Sequence, residues 1–596
     1  MTGRNAGSRD PLFHEGECVM RVFWKCFFAT ILAFVVMAIV IVGVVSSKGD
    51  GKKKVMNHSY LVVDIYGDIN EYDAPVGVMG EVIGGKPETL HRILSNLEKV
   101  CVDKRVDGVI FKLSASSSAG FAMLEEIRGA IKNVRAAGKK VYAYTDSMDR
   151  KMFYIAAACD SIYAPPSAYI TFLGMGAGSV HVKSMLDKLG IRPNLHQIKE
   201  YKSAAELVTR TSMSPEAREN EQWLLNEAWD ILTKSLAEDR GLSEEQIVAF
   251  MDHALYTAPE AESAKLVDRV LYWDELESML KGTEKELRTV SQASYSSVKP
   301  EKLGLKGAKK IAVVHASGLI AGRKSKVDPL FGVMMGHESV VAELRRAQKD
   351  KDVAAIVFRI DSQGGESLTS DLIAHEVSVV SKEKPVVVSM VDVAASGGYY
   401  IAYQATKLVA DPMTITGSIG SISIKFNMKA LYDKLGINVD FIEKGPNALF
   451  YSEFRDFTPE QRVRFEQNHW DGFDMWLRDV AKHRGMTYEQ ISRLAMGRVW
   501  TGRQAKENGL VDEVGGLDTA IEVARDLAKI PEDQKVSIVH YPKKKGLLQI
   551  LLGGEDGGLS AAVNWVVYRF IRDDVADTWK VLNERNLYIL DRADVQ

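Results

Sequence analysis

The sequence predicts an α/β protein: one membrane-spanning helix followed by two tandem βαβ domains, each closed by a helical cap. Three observations predict it. Residues 26–47 run for 22 positions without a charge, CFFATILAFVVMAIVIVGVVSS. Four stretches recur later in the chain in the same order, at offsets of 244 to 247 residues. Within each copy, short β-branched apolar runs alternate with longer helical patterns, the signature of βαβ units around a parallel sheet.

Length and composition frame these elements. A chain of 596 residues exceeds one ordinary core and suggests about two to four domains. With 46% apolar and 26% charged residues it fits packed domains, not a disordered or disulfide-built chain. Lys plus Arg total 76 against 79 Asp plus Glu, so it lacks the basic surplus of a nucleic-acid binder. The four cysteines (Cys18, Cys26, Cys101, Cys159) match no zinc spacing and are too few for a disulfide framework.

The uncharged run comes first. At ~1.5 Å per helical residue it spans the ~30 Å core of a bilayer. It is long for a signal peptide, no A-x-A site follows it, and it is apolar all round rather than on one face. The expectation is a retained anchor over 26–47 with a short segment, 1–25, on the cytoplasmic side. Charge does not orient it: Arg9, Arg21 and Lys25 precede the span, and Lys48, Lys52, Lys53 and Lys54 follow it.

The repetition organises the rest. VDGVIFKL at 106–113 matches VAAIVFRI at 353–360, and MLDKLGI at 185–191 matches LYDKLGI at 431–437. MSPEAR at 213–218 matches FTPEQR at 457–462, and LYTAPEAESAKLVDRV at 255–270 matches VWTGRQAKENGLVDEV at 499–514. The period is far too long for a solenoid. It divides the chain into halves at 59–282 and 309–530, a Ser/Lys/Gly-rich linker at 283–308 and a tail at 531–596. In the second half KKIAVVHA, VAAIVFRI, KPVVVSMV and KLVADP read as strands, whereas 458–528 is mainly helical.

Chemistry in such a fold belongs in loops at the carboxyl ends of the strands. Two second-half loops qualify: Asp361-Ser362-Gln363-Gly364-Gly365, and VDVAASGGYY with Ser396 between alanines and glycines. A serine among such small residues admits a carbonyl closely. The amide of Gly397 and one from Gly364 or Gly365 suit an oxyanion. No histidine lies between His375 and His469 to serve as a nearby base, and a buried lysine is the alternative. The first-half counterpart of Ser396 falls at Arg150 and Lys151, and that of DSQGGES is LSASSSAG, so the first half has lost the nucleophile.

DSQGGES, VAASGGYYIA and TITGSIGSI, with KEYKSAAELVTRTSMSPEAREN in the first half, resemble the motifs of the signal peptide peptidase A (protease IV) family. The likeness is to its long, duplicated, membrane-anchored form and runs from about 59 to 530. It implies crotonase/Clp-protease-like domains and a serine peptidase. It implies Ser396 as nucleophile, Lys202 as general base, Ser418 orienting that base, and Gly397 with Gly365 in the oxyanion hole. Gln363 stands where the family usually has proline, which leaves the glycines intact but removes a stiffener from the turn.

The resemblance further implies hydrophobic peptide substrates such as cleaved signal peptides, no metal or other cofactor, no nucleic-acid partner, and a homotetramer. It implies a single-pass protein of a bacterial cytoplasmic membrane with its catalytic bulk outside. Ser396 and Lys202 lie in different halves, so the dyad requires both. A crotonase-like acyl-CoA enzyme and an inactive membrane scaffold are the competing readings. A subunit of an energy-dependent protease is disfavoured because no ATPase motif occurs. After Pro542, KKKGLLQILLGG is too short to span a bilayer, and 560–579 patterns as an amphipathic helix. Cys101 and Cys159 are candidates for pairing in an oxidising compartment.

Overall fold

The computed structural model describes residues 55–67, 69–72, 88–115, 119–328 and 331–543. The expected anchor at 26–47, the segment before it and most of the tail lie outside the described residues. Among the described residues no helix is long and apolar enough to cross a membrane.

The first half begins with β1 (Ser59–Ile65), in which Leu61, Val63 and Ile65 alternate into the core. It continues through α1 (Leu90–Val102), β2 (Val106–Ser114), α2 (Phe121–Ala136), β3 (Lys140–Met148), α3 (Arg150–Ala156), β4 (Ser161–Ala164) and β5 (Tyr169–Phe172). Then come α4 (Lys183–Leu189) and β6 (Arg192–Ile198). The cap is built on α5 (Pro215–Arg240), which Ser214 caps and Gly241 ends in the left-handed conformation. Three short strands complete the half: β7 (Ala254–Tyr256), β8 (Arg269–Val270) and β9 (Arg288–Ser291). The sheet order is β8-β4-β3-β2-β1-β9 with parallel neighbours, and β5 joins β3 to an antiparallel β7.

The second half repeats this plan with β10 (Lys309–Ser317), α6 (His337–Lys349), β11 (Val353–Ser362), α7 (Ser367–Ser381) and β12 (Val386–Ala395). The short α8 (Gly397–Tyr400), β13 (Lys407–Ala410), β14 (Ile415–Gly417), β15 (Ser421–Asn427) and α9 (Lys429–Lys434) follow. Its cap helix is α10 (Pro459–Arg484), and β16 (Val499–Thr501), β17 (Glu513–Val514), α11 (Leu517–Leu527) and β18 (Val536–Tyr541) end the described chain. The sheet order is β16-β14-β12-β11-β10-β18, with β13 joining β12 to β17. Its central strands are buried on both faces, one side under α6, α7 and α10 and the other under α11, which is why Val386, Val387 and Val388 are consecutive and all fully buried.

Two edge strands come from stretches read as linker and tail. β9 lies within 283–308 and pairs with β1, and β18 lies beyond 530 and pairs with β10. An edge strand bonds chiefly through its backbone, so RTVS and VSIVHY do the same work without resembling each other. Cys101 and Cys159 are both free thiols, so the pairing considered from sequence does not occur.

Several contacts join the halves, three of them away from the candidate site. β6 of the first half and β15 of the second form a two-stranded antiparallel ladder, from Arg192 opposite Asn427 to Ile198 opposite Ser421. Asp392, at the end of β12, accepts the amides of Gly120 (2.9 Å) and Met123 (3.1 Å), capping α2 where its own N-cap glycine has no side chain. Arg359 is fully buried, with a two-pronged pair to Glu126 (2.7 and 2.8 Å), a bond to Glu71 (3.0 Å) and one to Ser389 (2.8 Å). Burial alone would raise the Glu71 carboxyl, but His315 (2.6 Å) and Arg359 outweigh it and hold the group down at about 2.

Candidate active site

β11 ends at Ser362, and the chain turns through Gln363, Gly364 and Gly365 into α7. Ser362 braces the turn: its hydroxyl donates to the Gly318 carbonyl (2.6 Å) and accepts the Gly364 amide (3.1 Å). Ile320 straps it from the side, donating to Gly364 O (2.9 Å) and accepting from the Glu366 amide (2.8 Å). Gly364 has φ 105° and Gly365 φ 152°, and a side chain on Gly365 would begin 2.0 Å from the Ile320 carbonyl. With the Gly364 amide taken, it is Gly365 whose amide meets no acceptor among the described residues.

On the next strand, β12 delivers Ser396 to the start of α8 with φ 56° and ψ −116°. A non-glycine residue there stores about 1–3 kcal/mol of strain, which the surroundings must hold. The hold is visible in the Ser396 amide, which donates to Gly417 O at 2.8 Å. Gly397 follows, and a methyl on it would sit 2.9 Å from the Gly365 amide, so the two glycine loops lie back to back.

Lys202 reaches this place from the other half. It follows β6 and is 4% exposed; its Nζ donates to the Ser418 carbonyl (2.8 Å) and hydroxyl (2.9 Å). Ser418 is 3% exposed, also has positive φ (51°), and directly follows Gly417, the residue that holds Ser396. The structure therefore gathers Ser396, Gly397, Gly365, Ser418 and Lys202 along one continuous path across the junction of the halves.

The first half shows an ordinary turn in the same place. There the residue before α3 is Asp149, with relaxed extended geometry and a side chain that accepts the Met152 amide (2.8 Å). The structural counterpart of Ser396 is thus Asp149, one residue before the position aligned by sequence. Asp149 is a helix cap and Arg150, fully buried, donates to Leu173 O (2.8 Å).

One component had no signal in the sequence. The turn Met496-Gly497-Arg498 closes over Lys202: the Tyr201 amide donates to Met496 O (2.9 Å), Gly497 donates to Ile419 O (2.9 Å), and Arg498 O accepts from Ser418 (2.8 Å). Gly497 has φ 79°, and a side chain there would begin 2.5 Å from the Lys202 amide. The Arg498 guanidinium lies over the rings of Tyr201 (4.2 Å) and Trp223 (4.9 Å) and pairs with Glu219 (2.5 Å). Among the described residues no cluster of His, Cys, Asp and Glu is suited to a metal ion.

Comparison with known proteins agrees on the chain's ancestry. The family model described as peptidase family S49 matches the chain twice, over residues 133–288 and 378–531. A chloroplastic serine protease SPPA of Arabidopsis thaliana is 34% identical over 473 residues, covering 78% of this chain and 70% of that protein. Protease 4 of Haemophilus influenzae is 29% identical over 548 residues (87% of this chain, 88% of that protein), and Protease 4 of Salmonella typhi is 29% identical over 555 (89% and 88%).

Proposed function

The chain belongs to peptidase family S49 and is a serine peptidase, and from that premise we propose that Ser396 is its nucleophile and Lys202 its general base. The observation that carries this reading is the buried Lys202 Nζ at 2.9 Å from Ser418 Oγ, one residue beyond the carbonyl that pins Ser396. Ser418 orients the base. Burial disfavours the charged form of an amine, and a lysine must be neutral to take a proton.

In the acylation step the Ser396 hydroxyl adds to the peptide carbonyl as Lys202 takes its proton. The amides of Gly397 and Gly365 hold the oxyanion, and collapse expels the amine, which leaves with the proton returned by Lys202. Water then repeats the sequence on the acyl-enzyme and restores the serine. The substrates are hydrophobic peptides such as cleaved signal peptides, and the 26–47 anchor holds a homotetramer at a bacterial cytoplasmic membrane with its catalytic bulk outside. The halves are domains of the crotonase/Clp-protease kind.

A serine-directed acylating probe, followed by intact-mass measurement, tests the assignment. Wild type gains one adduct per chain, Ser396→Ala gains none, and Lys202→Ala loses peptide hydrolysis by about 10²–10⁴-fold. Hydrolysis that persists unchanged in Lys202→Ala removes the lysine from the mechanism.

A further inference from the structure

We propose that Arg498 is a positioning residue for the Ser396–Lys202 site: its side chain fastens the turn 496–498 to the first-half cap, and its carbonyl thereby fixes Ser418 against Lys202. This rests on the dyad proposed above and adds the part that keeps its two members aligned.

The turn needs such a fastening. Of its three backbone bonds, Gly497 to Ile419 O and Ser418 to Arg498 O stay within the second half, and the bond from the Tyr201 amide to Met496 O crosses to the first. A turn bonded chiefly to its own half follows that half, whereas Lys202 belongs to the other. Lys202 Nζ and Ser418 Oγ stand 2.9 Å apart, so a slip of about 1 Å at the junction breaks their contact.

The Arg498 side chain supplies further contacts across the junction. Only 14% of it is exposed. Its guanidinium lies among three rings, Tyr201 (4.2 Å), Trp223 (4.9 Å) and Trp500 (5.7 Å), and Trp223 meets Trp500 edge-on. Glu219 closes the box. One of its carboxylate oxygens takes the guanidinium (2.5 Å) and the other accepts the Tyr201 hydroxyl (2.9 Å). Glu219 and Trp223 stand one turn apart on α5, and Asn220 beside them accepts the Val499 amide (3.2 Å). One face of the first-half cap helix thus grips residues 498, 499 and 500 in succession.

That grip ends on the reacting groups. Tyr201, against the guanidinium, directly precedes Lys202. The carbonyl of Arg498 itself holds the Ser418 amide at 2.8 Å. Trp500 lies opposite Thr416 in the β14·β16 ladder, and its ring covers Gly417, where a side chain would begin 2.7 Å from Trp500 Cδ1. Gly417 O is the acceptor that holds Ser396. A neighbouring ion pair provides the contrast. Arg503, just beyond β16, pairs with Glu227 of the same helix, yet among the described residues neither bonds to Tyr201 or Ser418.

The test is steady-state peptide hydrolysis by the full chain in mild detergent across pH, with reactive sites counted by the serine-directed acylating probe. Arg498→Leu is expected to lower kcat per labelled site by about 10–100-fold, with KM within about twofold of wild type. It should also move the acidic limb of the kcat/KM profile to higher pH, because a base released from burial keeps its proton to higher pH. Arg498→Lys keeps the charge without the planar stack and should recover little of the loss. Glu219→Gln, at a half-exposed position, should move the limb in the same direction by less. Arg503→Leu removes an ion pair between the same elements and should leave turnover and profile as in wild type. Wild-type turnover per labelled site with an unmoved limb in Arg498→Leu overturns the proposal. So does an equal shift in Arg503→Leu, or full rescue by Arg498→Lys. Unchanged hydrolysis in Lys202→Ala overturns the dyad and the positioning role together, whereas a defective Lys202→Ala beside an unaltered Arg498→Leu overturns the positioning role alone.

Discussion

Asp361 and Asp392 lie where the halves meet, and their ionisation should tax the fold as pH rises. Asp361 accepts the Val393 amide (3.1 Å), while Asp392 accepts two amides from the start of α2. Burial, then the neighbouring Asp392 charge, pushes the Asp361 carboxyl from its ordinary 3.8 up to about 8; burial also raises Asp392 against the pull of its amide donors. The folded pair thus keeps a proton that the unfolded chain releases near pH 4. Between those values the native state binds one proton more, and stability falls as pH rises, by at most ~1.4 kcal/mol per pH unit. From pH 5 to 8 the loss is about 2–4 kcal/mol, allowing for the partial solvent contact of both side chains. Asp361→Asn keeps the acceptor for Val393 and removes the titration. Denaturant midpoints of both proteins at pH 5, 6, 7 and 8 check this: the variant should gain on wild type progressively and level off above pH 8. Parallel curves would refute a shared proton.

Other substitutions probe separate parts of the junction. Gly497→Ala places a methyl against the Lys202 backbone at positive φ; it should lower kcat by about tenfold or more for ~1–3 kcal/mol of strain, with KM nearly unchanged in steady-state kinetics. Asp149→Ala removes an ordinary cap from α3 and should cost about 1 kcal/mol in thermal unfolding while probe labelling of Ser396 persists. Arg359→Ala strands Glu71 and Glu126 in the interior and should destabilise the protein by about 3–5 kcal/mol in denaturant titration. Because Glu71 is held near 2, its contribution is complete above pH 4.5 and disappears as pH falls towards 2, which acid titration of wild type against Glu71→Gln would resolve.

The repeat made the doubled α/β plan legible because buried parallel strands must be continuous apolar runs, and such runs survive divergence. Ser396 stands out as a candidate for a related reason: tight approach of two loops demands small residues, and Ala-Ala-Ser-Gly-Gly is hard to overlook. Lys202 was not legible from periodicity or spacing. A lysine's burial depends on what covers it, and here the cover is a turn nearly 300 residues away whose only mark is Gly497. The same limit moved the aligned counterpart of Ser396 to Arg150, since a strained turn and a capped one thread the same number of residues differently. Edge strands β9 and β18 were hidden because backbone pairing asks little of side chains.

If Lys202 is the base proposed above, the covering turn also sets when the site can be completed during synthesis. Lys202 leaves the ribosome first, then Ser396, yet Met496-Gly497-Arg498 emerges about 100 residues after the serine. Until that turn is made, the lysine has no roof and Ser418 lacks the carbonyl that fixes its amide. On the dyad proposed above, a growing chain therefore carries Ser396 and Lys202 through synthesis before the turn that covers the lysine exists.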